Sequence, residues 1–297
     1  MLMLSGTPCL RAQTAAYRLD DAYRKKSPEL LDDFFKYWQA ETPTVSAGEL
    51  DTASELQREC YDVFTAFYRP LAIDSLGGTD WDNGLYWHVR YLLVQNSIYV
   101  FTVDKIHYTD AEEDAYITAR VKKAYPNDSA MRAYLLHRSP DGQLPYPTWA
   151  RFAPNTRVRY PFVKNMPADS IMDFRPPVKA ADKVPVYLTP AYEDLLVTFL
   201  GNQDMPLGSG RGPYPTRSRK ESGNRKKFLE TYIRLFYGHW GGYWQLVSYP
   251  LVHYVTFDRN REYARVDFRM VYEGGEAVLH KENGQWTLLS VQRTWMN

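Results

Sequence analysis

Between residues 236 and 297 the chain runs in short alternating segments cut by turn signals, and this stretch constrains the fold more than any other. Alternation with a period of two marks half-buried strands. Residues 252–257 read as one strand, followed by a turn at Arg259-Asn260. Residues 263–273 form a long strand, with Gly274-Gly275 as a turn or bulge and residues 276–281 continuing the sheet. Asn283-Gly284 is a hairpin turn, because both residues accept a positive φ. Residues 286–295 supply the last strand. A curved antiparallel sheet is the expected outcome.

The N-terminal half has helical periodicity. Ser27-Pro28-Glu29 starts a helix: Ser as cap, Pro at the first helical position, an acid in the first turn. Leu30, Phe34, Tyr37 and Trp38 fall near one face of it. A second helix is predicted over residues 49–68, with Leu56, Cys60, Val63, Phe64 and Phe67 at helical spacing. Both should cover a sheet. Residues 85–108 turn to β pattern, with a turn at Asn96-Ser97. Apolar residues on both faces after that turn predict an interior strand. Pro185 confines a strand at 184–188 to a sheet edge. Thr189-Pro190 opens a segment readable as helix or strand. Residues 228–236 begin as a helix capped by Ser222 or Asn224.

This order predicts an α+β fold, with a curved antiparallel sheet packed against N-terminal helices. Four segments follow: a signal-peptide remnant over 1–13, an α+β region over 14–200, a flexible loop or linker over 201–223 and the sheet region over 224–297.

Lys plus Arg number 36 and Asp plus Glu 35, so nothing favours nucleic acid, whose binders carry a basic excess. No apolar run is long enough for a spanning helix. Met1 to Leu4, followed by small residues and a cleavage site at Ala12-Gln13, resembles the tail of a secretory signal, so export is expected, with the cytoplasm as the alternative. Pro8 before Cys9 does not fit a lipid-anchor signal. After cleavage Cys60 stands alone, which excludes an intramolecular disulfide. Aromatic residues make up 15% of the chain, enough to line either a core or a stacking site.

From Tyr249-Pro250 onward, the residues Ala264, Val266, Phe268, Gly274-Gly275-Glu276-Ala277, Lys281, Gly284 and Trp286 form a pattern that resembles the nuclear transport factor 2-like, or cystatin-like, cone. In particular, it resembles the uncharacterised secreted members of that family found in gut Bacteroidetes. The resemblance implies a cone-like fold, with a duplication or large insertions to account for the length. That family holds enzymes, ligand binders and inert scaffolds, so it implies no single activity.

Four stretches carry candidate chemistry. In Gly238 to Trp244, three glycines free the backbone beside His239, Trp240, Tyr243 and Trp244, as a pocket wall or a bulge with packed aromatics. Along the long strand Tyr263, Arg265, Asp267 and Arg269 share one face, read as ion pairs on a solvated surface or as a cavity-facing set for an anionic ligand. Asp80-Trp81-Asp82-Asn83-Gly84 reads as a turn or a weak Ca²⁺ loop. Arg217, Arg219, Lys220, Arg225, Lys226 and Lys227 form a basic run, solvated or directed at an acidic partner. No phosphate loop, nucleophile elbow or clustered metal set is present, so no cofactor or metal is expected. The leading expectation is a binding protein with an aromatic-lined cavity for a small molecule, glycan or protein partner. The alternatives are a hydrolase, isomerase or lyase using His239 or His253 with Asp267 or Glu276, and a purely structural module.

Overall fold

The computed structural model describes residues 8–76, 83–103, 105–106, 115, 118–119, 121–136, 169–203, 215–237 and 244–296. It is a mixed α+β structure. Helix α1 spans Pro8–Lys25 and α2 Pro28–Glu41, the latter capped by Ser27, whose hydroxyl accepts from the Leu30 amide at 3.2 Å. The single helix expected over 49–68 is two helices, α3 (Ala47–Thr52) and α4 (Glu55–Phe67). Each has its own capping box, Ser46 with Glu49 and Ser54 with Gln57, so a second helix start lies inside the apolar periodicity.

Strand β1 (Tyr91–Gln95) and β2 (Ser97–Val103) follow, then α5 (Ser129–Leu136), β3 (Asp169–Met172) and β4 (Val184–Leu188). The bend at Asn96 is not a hairpin turn. β1 leaves to pair in parallel with β4, and β2 enters a different sheet. Helix α6 (Pro190–Leu200) settles the helix-or-strand question, with Thr189 as its cap. Strands β5 (Asn202–Gln203) and β6 (Thr216–Arg217) and helix α7 (Arg219–Leu229) come next, so ordered elements occupy part of the stretch expected to be a loop. Ser218, rather than Ser222 or Asn224, caps α7. A short pair, β7 (Phe236–Tyr237) and β8 (Trp244–Gln245), precedes the terminal strands β9 (Leu251–Asp258), β10 (Tyr263–Met270), β11 (Glu273–Glu282) and β12 (Gln285–Met296).

The large sheet has six strands in the order β12-β11-β10-β9-β2-β3, and it is curved and open. β9 to β12 form the expected meander. Asn283 and Gly284 both have positive φ at its last hairpin. Gly274-Gly275 is a bulge inside β11, where the register with β12 shifts. The sheet is not wholly antiparallel, because β2 runs parallel to β9. That pairing joins strands from both sides of the 201–223 stretch.

Two cores result. The first lies between α4 and one face of the large sheet, with Phe64, Phe67, Val100, Val255, Phe257, Val266 and Leu279 buried in it. Each such side chain is worth about 1.5–3 kcal/mol on burial. The second joins α1, α2, α6 and α7 to β1 and β4. There Trp38 stacks on Tyr192 with ring centroids 4.2 Å apart, and its indole N–H donates to the Tyr187 carbonyl at 3.0 Å. Gln95 bridges the two sheets. Its Nε2 donates to the Val252 carbonyl and its Oε1 accepts from the Val252 amide, both at 2.8 Å, completing a backbone ladder with a side chain.

Candidate functional site

The alternation of β10 sends Ala264, Val266, Phe268 and Met270 into the first core and turns Arg265, Asp267 and Arg269 to the opposite face. Register then decides their neighbours. Asp267 lies across from Tyr254 on β9 and Glu276 on β11. Arg265 lies across from Thr256 and Val278, and Tyr99 on β2 lies beyond Tyr254.

The face is not the solvated stripe that alternation alone predicts. Arg265 is fully buried, while the Asp267 side chain keeps 15% of its exposure. Arg265 Nε donates to Asp267 Oδ2 at 3.0 Å, and the Tyr254 hydroxyl donates to the same carboxylate. Burial pushes the Asp267 carboxyl above the ordinary carboxylate range, against the pull of Arg265 and Tyr254. Burial, followed by the Asp267 charge, also pushes the Tyr254 phenol up. Aromatic surface adjoins this set: Phe101 meets the Tyr254 ring edge-on at 5.3 Å, and Tyr99 is 57% exposed.

Arg269 is on the same face but turned elsewhere, its Nε donating to the Val271 carbonyl at 2.9 Å. His253 is the extra residue at the β9 register shift and is exposed. Desolvation, and after it the Arg269 charge, hold its imidazole below the usual value, and its exposure limits the effect. Glu276 accepts from Gln292 Nε2 at 3.4 Å. His239, Trp240 and Tyr243 lie outside the described residues, as do residues 80–82. Trp244 is described, and it packs in the second core rather than with Arg265. It meets Tyr237 at 4.7 Å and donates to the Gly201 carbonyl at 2.9 Å.

The basic run is largely helical rather than looped. Arg225 pairs with Glu221 at 2.8 Å and covers the rings of Tyr23 and Phe199, and Lys226 pairs with Glu230 at 2.9 Å. Sequence reasoning missed Tyr254. Strand alternation marks it as surface-directed, but only the β9–β10 register places it on Asp267.

Among the described residues, no group of three or more His, Cys, Asp or Glu side chains could hold a metal ion. No described helix is long and apolar enough to cross a membrane. No protein-family model matches the chain, and neither a curated protein nor a solved structure is found similar to it.

Proposed function

We propose that this chain is an exported ligand-binding protein of cone-like, cystatin-like build, whose recognition face is the polar side of the large sheet around Arg265, Asp267 and Tyr254. The observation that carries this reading is the desolvated Arg265–Asp267 pair on the face away from the first core. A buried ion pair is a poor stabiliser compared with apolar packing, so its presence here favours a functional role. The adjoining Tyr99, Phe101 and Tyr254 rings suit a small molecule or glycan with both apolar and hydroxyl surface. Thermal-shift screening against sugars, bile acids and small acids tests it, since only binding to the folded state raises the transition. The expected result is a ligand that stabilises the native protein and loses its effect in Tyr254→Phe and Asp267→Asn. A ligand whose effect survives both changes sinks the assignment of this face.

One observation favours a second, enzymatic reading. Asp267 is shifted up, toward the range of a general acid, and His253 is shifted down, which keeps its imidazole neutral and able to accept a proton. As a cofactor-free hydrolase, isomerase or lyase, the protein would show turnover that disappears in Asp267→Asn. Turnover unchanged by that substitution excludes Asp267 as the acid. N-terminal sequencing of protein recovered outside the cell tests export.

A further inference from the structure

Helices α1 and α6 leave between them an open groove of about 370 Å³, remote in sequence from β10 and within the size range of small-ligand sites. Its walls are mainly apolar: Ala16 and Leu19 from α1, Leu195 and Phe199 from α6. Arg217 is the one cation among its lining residues.

The position of Arg217 is built rather than incidental. The parallel pairing of β5 with β6 brings it beside the end of α6. Gly201 has φ +74°, and a Cβ there would lie 2.5 Å from Arg217 Cγ, so the arginine stem crosses the space that any other residue would fill. Trp244 holds Gly201 in turn through its carbonyl. Arg217 Nη2 donates to the Thr198 carbonyl at 3.3 Å, in the last turn of α6. Its Nε–H is buried and meets no acceptor, and no described carboxylate lies within ion-pair reach. The neighbouring Arg225, by contrast, holds Glu221 at 2.8 Å and reaches Asp20 at 3.7 Å. Burial, and then the Arg225 charge, lower the Arg217 pKa against the weaker pull of Glu221 and Asp20.

A partly buried guanidinium with an unmet N–H and no described carboxylate in direct contact, at an apolar groove, selects an anion that carries apolar surface. Asp20 and Asp194, also on the groove wall and exposed, disfavour a second negative charge. We propose that this groove binds a small molecule with an apolar body and a single carboxylate, the carboxylate on Arg217 and the body along Leu19, Leu195 and Phe199. This site is separate from the sheet face.

Calorimetric titration of the full chain with octanoate and 3-phenylpropionate tests the proposal, with octanol, octylamine and the dicarboxylate suberate as controls. Both monocarboxylates should bind at least about tenfold tighter than every control, the contribution of one charge-assisted contact. Arg217→Met should weaken octanoate by a similar factor. Because that change also removes the Thr198 contact, Ala191→Trp provides a second probe: residue 191 is exposed on the groove wall, and the indole should block the groove with Arg217 intact. Asp267→Asn should leave octanoate binding unchanged, which separates this site from the sheet face. Octanol binding as tightly as octanoate, no octanoate binding at millimolar concentration, or full binding by Ala191→Trp would each overturn the proposal.

Discussion

The indole N–H of Trp286 donates to Glu59 Oε2 across 2.7 Å, tying α4 to the edge strand β12. Both residues are buried, and the other Glu59 oxygen accepts from Lys281 Nζ. One carboxylate therefore satisfies two donors at the rim of the first core. Glu59→Ala should lower stability by about 3 kcal/mol, because it orphans a buried indole N–H and removes the Lys281 counter-ion. Glu59→Gln keeps an acceptor for the indole and should lose only about 1 kcal/mol. Urea unfolding followed by tryptophan fluorescence checks the order; equal losses in the two variants would contradict the shared-carboxylate account.

Gly275 is required by a neighbour rather than by its own backbone angle. A Cβ at this position would collide with the Phe268 ring across the β10–β11 ladder. Gly275→Ala should cost about 1–3 kcal/mol as overpacking. Phe268→Leu in the same chain should recover part of that loss, giving a coupling of at least about 0.5 kcal/mol in a double-mutant cycle. Strictly additive effects would show that the ring is not what excludes a side chain there.

The Ser46 amide and hydroxyl donate to Glu49 at 2.8 Å, and Arg175 Nη2 donates at 2.5 Å. These contacts, the Ser46 backbone foremost, bring its carboxyl from 4.5 down to about 2. A folded-state pKa below the unfolded value means that the stabilisation is full above pH 4.5 and is lost as pH falls from there to about 2. Glu49→Ala should melt below the wild type at neutral pH, and the gap should close through that acid window. A carbon-detected titration of Glu49 with a midpoint near 4.5 would refute the assignment.

Cys60 has no exposure, and burial pushes its thiol pKa up. Both oppose formation of the reactive thiolate. In a Cys9→Ser background, a thiol reagent at pH 8 should label Cys60 only as fast as the protein unfolds, and faster as denaturant is added. Rapid stoichiometric labelling of the native protein would show that α4 opens locally.

Local signals were legible where a residue acts on its own neighbours. Ser27 and Thr189 cap helices through hydroxyls three residues from the amides they accept, and Asn283-Gly284 makes its turn with two positive φ angles. The split between α3 and α4 was legible too, in Ser46-x-x-Glu49 and Ser54-x-x-Gln57, but continuous apolar spacing concealed it. Of the candidate site, alternation showed that Arg265, Asp267 and Arg269 share a face. It did not show that Arg265 is buried and Arg269 turned away, since burial depends on what other strands and loops bring over that face.

The sequence alone determined the terminal strands, the cap at Ser27, the Asn283-Gly284 turn and the apolar face of β10, because these follow from spacing within a few residues. Tertiary structure decided the rest. The parallel pairing of β2 with β9, the two-core arrangement, Tyr254 beside Asp267 and Arg217 at the α1–α6 groove all join residues far apart in the chain. Such pairings depend on register and sheet order, where a shift of one residue reverses every side chain's face and alternation reads the same either way.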